Sequence, residues 1–200
     1  MKISALWNDI LTKGAILGVV MLASNIAEAS MVVYGKTIGW VAVMSIECLV
    51  VMALYCYLIY RFTSNYAKLV ISERKDMPYF TYGNGYSYAV MISILAGVIT
   101  ALGNYIFINY VVGYDNYVGA TINIAQEAIS QAEIPSAMAG QYEQMLAAIQ
   151  QQQAPSMMSK LFGSIWTYLL SGSLVGLIVA AFIKREPQIF DNQNEQNDEQ

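Results

Sequence analysis

Two carboxylates lie inside apolar stretches of this sequence, where ionisable side chains are rare. Glu28 and Glu47 each lie within a long run of aliphatic residues, and the amides of Asn25 and Asn104 do the same. An ionisable group in hydrocarbon is unfavourable by several kcal/mol, so it normally faces a bundle interior and finds a partner. The four residues therefore predict an intramembrane polar cluster. Its role is either hydrogen bonding between helices, which we favour, or the relay of a proton or substrate.

The rest of the sequence offers little for catalysis. It has no histidine, which removes Ser-His and Cys-His nucleophile pairs and histidine metal sites. Cys48 and Cys56 lie too far apart along one predicted helix to form a disulfide. The segment Gly83-Asn84-Gly85 lacks the lysine and the spacing of a phosphate loop. We predict no catalytic residue, no cofactor and no metal site, and we disfavour an enzyme. An intramembrane enzyme built on one carboxylate stays open as a weaker alternative.

Composition indicates which elements must position these residues. Hydrophobic residues make up 56% of the 200-residue chain and charged residues only 12%. A membrane-spanning helix needs about 20 mostly apolar residues. Four segments qualify, and backbone groups in lipid must be satisfied within each segment, so helices follow. The fold class is all-α integral membrane, an antiparallel bundle of four transmembrane helices with spans at 14–33, 38–60, 88–112 and 161–183.

Basic residues orient the predicted bundle. With the N-terminus inside, eight of the ten Lys and Arg residues lie on the cytoplasmic side, and only Lys36 and Lys160 lie outside. The positive-inside rule therefore predicts that both termini are cytoplasmic. No basic stripe of the kind that binds nucleic acid is present, so we expect no nucleic-acid partner.

The first span has a second interpretation. Lys2 and Lys13 precede an apolar run, and Ala27-Glu28-Ala29 fits a signal-peptidase site, which would make residues 1–29 a signal peptide. We favour a retained span, because the leader before Gly14 is long, contains Asp9 and repeats apolar residues at helical spacing. That pattern predicts an interfacial helix over residues 3–11 that turns into the first span.

The remaining segments complete a single membrane domain over residues 1–186. The segment 113–160 has two stretches with apolar residues on one helical face, separated near Pro135. It predicts an extracytoplasmic helical hairpin between the third and fourth spans. The hairpin is either a spacer, which we favour, or a docking surface. Residues 187–200 are acidic and polar, which predicts a disordered tail.

Depth along the helices groups the polar residues. At 1.5 Å per residue, Asn25, Glu47 and Asn104 lie about 12 to 13 Å below the outer boundary. Three residues of the fourth span come near the same level: Thr167, Tyr168 and Ser171. Glu28 lies at about 7 Å, near enough to extend to that boundary. We predict that Glu47 points into the bundle and reaches Asn25 or Asn104, directly or through one water.

Small residues predict where helices approach closely. They recur every four positions on the fourth span, and they do so on the first span at Gly14 and Gly18. The motif allows packing within one molecule or between copies. The fourth-span residues are Gly172, Gly176 and Ala180.

The order of these features resembles a family of small bacterial inner-membrane proteins that is known only as a domain of unknown function. The resemblance covers roughly residues 5–186. It implies four spans and a bacterial cytoplasmic membrane, and it supplies no activity and no catalytic residues. The segments that carry it are 74–76, 80–83, 105–107, the Met- and Gln-rich stretch before the fourth span, and 176–184.

Together these observations predict a non-enzymatic integral membrane protein that assembles with a membrane or cell-envelope partner. Membrane lipid, a protein partner and a second copy of the chain all fit. The alternative is a small oligomeric transporter or proton-coupled permease that uses Glu47. The two hypotheses differ in whether the layer of polar residues around Glu47 opens to a water-filled cavity or is closed by packing.

Overall fold

The computed structural model describes residues 3–35, 39–73, 79–131, 136–150 and 153–185. Within these ranges the chain is helical, with no strand. The predicted tail at 187–200 lies outside the described residues, as do Lys36 and the loop 74–78. The helices are α1 (Ile3–Ser30), α2 (Gly39–Glu73), α3 (Tyr82–Ile106), α4 (Tyr114–Gln131), α5 (Ser136–Gln150) and α6 (Met157–Ile183).

Four helices are long and apolar enough to cross a membrane. They are α1, α2, α3 and α6, and α1 and α3 each run on into a short π-helical turn, Met31–Gly35 and Phe107–Val112. This confirms the prediction of an all-helical chain with four candidate membrane spans. Two more helices, α4 and α5, occupy the predicted hairpin segment and pack against each other and, through α4, against both π-helical turns. We call this end of the bundle the hairpin end and the opposite end the termini end.

The leader differs from its prediction, because α1 is continuous from Ile3 and does not turn near Gly14. Ile10 is buried in the core, and the hydroxyl of Tyr88 on α3 donates a 2.5 Å hydrogen bond to the carboxylate of Asp9. These contacts hold the start of α1 against the bundle, so the helix continues straight and does not bend onto a membrane surface.

Helix α3 is the centre of the bundle and packs against α6 through small residues. An added Cβ on Gly172 would lie 2.5 Å from the Cβ of Ser93, and one on Gly176 would lie 3.2 Å from that of Ala89. One on Gly97 would meet Tyr168 of α6 at 2.9 Å. The contacts advance by one helical turn each along both antiparallel helices. The absence of side chains at these glycines is what lets the two backbones come together.

Helix α1 lies parallel to α3, on the side of α3 opposite α6, and it too packs through glycines. An added Cβ on Gly14 would meet Leu95 at 2.8 Å, and one on Gly18 would meet Ile99 at the same distance. The hydroxyl of Thr100 donates to the carbonyl of Gly18 at 3.3 Å, a direct bond between the two helices. The three helices α1, α3 and α6 therefore form a closely packed row with α3 in the middle.

Helix α2 packs on this row closely at one end and loosely at the other. Its inward face is fully buried from Tyr55 to Val70, toward the termini end. The same face is only half-buried at Met44, Glu47 and Val51, toward the hairpin end. The bundle is thus well closed at the termini end and more open at the hairpin end.

A backbone link fastens the termini end. Phe80 and Arg185 exchange two backbone hydrogen bonds of 3.0 Å, which join the start of α3 to the end of α6. Phe80 is fully buried and makes an edge contact with Tyr66 of α2 at 5.7 Å. This link brings three helix ends together around one aromatic side chain.

Close packing at Gly172 makes a testable prediction. Gly172→Ala places a methyl group against Ser93, and such overpacking destabilises by about 1 to 3 kcal/mol. The matched control is Gly163→Ala on the same helix, where an added Cβ meets nothing within 4 Å. That control should be neutral or stabilising, because Ala favours helix over Gly by about 1 kcal/mol. Thermal unfolding in mild detergent, followed by tryptophan fluorescence, measures both. Equal unfolding temperatures for the two variants would contradict this packing.

Candidate functional site

A polar cavity of about 740 Å³ lies within the hairpin end of the bundle. Pockets that hold small ligands are of this order, about 300 to 1,000 Å³. Three spanning helices supply most of its lining, and α4 and the segment before α6 supply the rest. The polar lining residues are Asn25, Thr100, Asn104, Tyr114, Gln153, Ser159, Lys160, Ser164, Thr167 and Tyr168.

Helix α6 contributes one face of the cavity. Lys160, Gly163, Ser164, Thr167 and Tyr168 recur at spacings of three and four residues, which places them along one side of a helix. Lys160 lies in the first turn, after Ser156 caps the helix by accepting from the backbone N–H of Ser159 at 3.2 Å. At 1.5 Å per residue, Tyr168 lies about 12 Å deeper than Lys160 along α6. The cavity therefore reaches well into the membrane-spanning part of the bundle.

Hydrogen-bonded aromatic residues close the cavity at its deep side. The hydroxyl of Tyr168 donates to Thr100 Oγ1 at 3.4 Å. The Tyr55 ring meets the Tyr168 ring edge-on at 6.0 Å, and its hydroxyl hydrogen-bonds Ser93 at 3.1 Å and Ser171 at 3.2 Å. These bonds join α2, α3 and α6, and the bond from Thr100 to Gly18 adds α1, so all four helices of the bundle are connected at this layer. We call Thr100 and Tyr168, with Tyr55 packed behind Tyr168, the floor of the cavity.

One polar atom of the lining lacks a protein partner. Asn104 Oδ1 is buried, and no group in the described part of the chain donates a hydrogen bond to it. Leaving a buried polar atom unsatisfied is unfavourable by about 1 to 3 kcal/mol. Because Asn104 lines the cavity, a water molecule or a ligand inside it can donate the missing hydrogen bond.

The structure brings two of the four predicted polar residues together. Asn25 and Asn104 line the same cavity from α1 and α3. Asn25 also donates from Nδ2 to the carbonyl of Met21 in its own helix at 2.8 Å. Counted along the helices, these two side chains also lie at about the same depth.

Glu47 has a partner that sequence reasoning missed. The hydroxyl of Ser24 on α1 donates a short hydrogen bond to Glu47 Oε1. This bond ties the loosely packed half of α2 to α1. Glu47 is half-buried and is not among the described lining residues of the cavity. A contact between Glu47 and Asn25 or Asn104 stays a prediction.

Glu28 lies at the hairpin end of α1, with an exposed side chain. The pKa of the Tyr117 phenol on α4 is raised above its ordinary value. Burial of Tyr117 is the larger cause, and the negative charge of Glu28 is a smaller one. Glu28 therefore lies near enough to Tyr117 to affect it, and it is not among the described lining residues of the cavity.

The glycine positions predicted for helix packing face α3. Gly172, Gly176 and Ala180 contact Ser93, Ala89 and Gly85 within the same molecule. Among the described residues, His, Cys, Asp and Glu form no cluster that could hold a metal ion. The described geometry therefore offers a polar, mostly uncharged cavity that can bind a molecule by hydrogen bonding.

Comparison with known proteins adds a family. A family model described as "Protein of unknown function (DUF4199)" matches residues 12–185. The chain belongs to this family. The match confirms the resemblance drawn from the sequence, and the members share a domain to which no activity is attached. No curated protein and no solved structure matches the chain.

The bond between Ser24 and Glu47 can be tested by substitution. Glu47→Gln keeps an acceptor for the Ser24 hydroxyl and should leave stability nearly unchanged. Glu47→Leu and Ser24→Ala each remove the bond, and hydrogen bonds between membrane helices contribute on the order of 1 kcal/mol. Unfolding in mixed micelles measures the free energies, and the double variant Ser24→Ala/Glu47→Leu should cost less than the two single changes added together. Strict additivity would mean that the two side chains do not interact.

Proposed function

We propose that this chain is a non-enzymatic, multi-pass protein of the bacterial cytoplasmic membrane that binds a polar component of the membrane or cell envelope in its cavity. The observation that carries the proposal is the buried, unpartnered Asn104 Oδ1 in the wall of a polar cavity between membrane-spanning helices. Polar groups inside an apolar bundle are energetically unfavourable, so stability alone does not explain a cluster of this size.

The cavity lining favours binding over catalysis. It consists mainly of amide and hydroxyl groups, and Lys160 is the one charged side chain among the described lining residues. General acid–base and nucleophilic catalysis need a titratable pair or a nucleophile beside a base. A lining of uncharged hydrogen-bonding groups orients a ligand without transforming it.

Charge distribution supports an orientation with the cavity facing outward and both termini in the cytoplasm. Of the described Lys and Arg residues, Lys13, Arg61, Lys68, Lys184 and Arg185 belong to the half of the bundle nearer the termini end, and Lys160 lies at the hairpin end. The positive-inside rule assigns the more basic end to the cytoplasm. The hairpin of α4 and α5 would then be extracytoplasmic. A protein partner would meet these two helices above the cavity.

The bond between Ser24 and Glu47 favours this proposal over a proton-coupled transporter that uses Glu47. A carboxyl group that moves protons must be reached by water or substrate in at least one state. Glu47 instead has a hydrogen-bond partner that holds α2 to α1, and its place is beside the cavity and not in its described lining. Its position fits a structural role.

Filling the cavity tests the proposal. Gly163 lines the cavity and has open space around an added Cβ, so Gly163→Leu should occupy part of the volume without disturbing the fold. The matched control is Gly83→Leu, at the other end of the bundle, where an added Cβ also meets nothing within 4 Å. After affinity purification in mild detergent, mass spectrometry of bound molecules should show a species that the wild type and Gly83→Leu retain. Gly163→Leu should retain at least about tenfold less. Equal retention by both variants, or no bound species in the wild type, would contradict the proposal.

The orientation has its own test. In a variant with Cys48 and Cys56 replaced by Ala, single cysteines are placed at Gln150 on α5 and at Ser72 on α2. A membrane-impermeant thiol reagent added to intact spheroplasts should label the cysteine at Gln150 and spare the one at Ser72. Labelling of Ser72 in intact spheroplasts, with Gln150 protected, would reverse the orientation.

A further inference from the structure

We infer that the ligand of the cavity is a hydroxyl-bearing anion, a sugar or glycerol unit that carries a phosphate or carboxylate group. The inference rests on the proposed function and adds to it the chemical class of the ligand. Two parts of the cavity carry it: the mouth, where a positive charge is found, and the deep wall, where uncharged hydrogen-bonding groups are found.

The mouth of the cavity favours an anion. Lys160 lies in the first turn of α6, and that turn contains no acidic residue. The N-terminal end of a helix already favours negative charge, so a lysine there is placed against the helix dipole. Two positive features thus reinforce each other beside the cavity. The described lining has no carboxylate to balance them.

Lys160 is also free to meet a ligand. Its side chain is exposed, and no hydrogen bond or ion pair joins it to the described part of the protein. If the orientation proposed above holds, a lysine on the outer side runs against the usual bias of basic residues toward the cytoplasm. An anion bound at the mouth gives this placement a physical reason.

The deep wall of the cavity offers uncharged groups, and the protons of its hydroxyl groups are already engaged. The hydroxyl of Thr167 donates to the carbonyl of Gly163 at 2.9 Å, and that of Ser164 donates to the carbonyl of Gly97 at 2.9 Å. In the floor, Tyr168 donates to Thr100, which donates in turn to Gly18. Each hydroxyl has one proton, and these protons are already engaged, so lone pairs are what remains for a ligand.

The Asn104 amide adds an acceptor, Oδ1, which has no donor among the described residues, and two N–H donors on Nδ2. A bare phosphate or carboxylate has only acceptor oxygens, so it can pair with amide N–H groups but not with Oδ1 or with the hydroxyl lone pairs. Hydroxyl groups on the ligand both donate and accept, so they can pair with all of these groups without bringing charge into the membrane interior. A cationic donor such as an ammonium group would be repelled by the charge of Lys160 and by the positive end of the α6 dipole.

The two parts are spaced along one helix. Lys160 and Thr167 are about 10 Å apart along α6, at 1.5 Å per residue. The ligand must therefore extend several bonds from its charge to its deepest hydroxyl, as a sugar phosphate or a glycerophosphate does. The headgroup of an outer-leaflet lipid and a free sugar phosphate share this chemistry.

Binding measurements on the full-length protein separate charge from hydroxyl recognition. The soluble probes are glucose 6-phosphate, glycerol 3-phosphate, phosphoethanolamine and glucose, titrated into protein in neutral detergent. The lipid probe is phosphatidylglycerol in phosphatidylcholine nanodiscs, followed by native mass spectrometry. We expect at least one phosphate-bearing polyol to bind about tenfold more tightly than glucose and to bind less tightly as salt is raised. Binding of the free phosphates alone identifies a soluble ligand, and binding of the lipid alone identifies a headgroup; either result supports the inference.

Two substitutions connect the binding to the proposed residues. Lys160→Gln should reduce the preference for the charged probe at least about fivefold while leaving glucose binding unchanged. Asn104→Leu should weaken charged and uncharged polyols alike. The matched controls Lys68→Gln and Asn65→Leu, on exposed positions of α2, should bind as the wild type does.

The outcomes that overturn the inference differ from those that overturn the proposed function. If glucose binds as tightly as glucose 6-phosphate and Lys160→Gln changes nothing, the cavity binds ligands but the anion is wrong. If phosphoethanolamine binds more tightly than glycerol 3-phosphate, the hydroxyl part is wrong. If no probe binds and no species is retained on purification, the proposed function fails together with the inference.

Discussion

The close approach of α3 to its two neighbours is the constraint on which the rest of the structure depends. Lipid is as apolar as the helices, so membrane helices associate through van der Waals packing and hydrogen bonds and not through the hydrophobic effect. Glycines at the α1–α3 and α3–α6 contacts allow that approach. Bulkier residues at Gly18 or Gly172 would force the helices apart and would remove the bonds from Thr100 to Gly18 and from Ser164 to Gly97.

Because α1, α3 and α6 form a close-packed row, the packing of α2 on that row determines where the bundle is closed. Large aromatic residues fix the half of α2 nearer the termini end. They include a stacked pair of Tyr66 with Tyr88 at 4.3 Å and the Tyr55 hydroxyl, which bonds to Ser93 and Ser171. The other half of α2 is held to α1 through Ser24 and Glu47 and exposes large aliphatic side chains such as Ile46 and Leu49. The polar cavity lies at this hairpin end, and no described residue of α2 lines it.

The sequence was informative where the physical rule acts on single helices. Hydropathy located four spans because lipid requires long apolar helices, and depth counting grouped Asn25 with Asn104 because both helices rise by the same amount per residue. The sequence did not reveal Ser24, since a serine in a membrane helix commonly bonds its own backbone and carries no signal of a partner. Depth counting also put Thr167 and Tyr168 of the fourth span near that level, and both line the cavity. It did not reveal Ser164, which looks like an ordinary helix residue until the packing of α6 on α3 shows which face remains uncovered. The continuous α1 was missed for the same reason, because Asp9 and Ile10 are held by residues distant in sequence.

Solvent access to the cavity is the measurement that tests this account most directly. In the variant that lacks Cys48 and Cys56, single cysteines at Thr167, Leu170 and Ser93 sample the cavity wall, the exposed face of α6 and the core behind the floor. A small water-soluble thiol reagent reacts with the thiolate, which forms only where water reaches the sulfur. We expect the cysteine at Thr167 to react at least about tenfold faster than those at Leu170 and Ser93, and we expect Gly163→Leu to slow the reaction at Thr167. Equal and slow reaction at all three positions would show a closed, dry bundle and would contradict it.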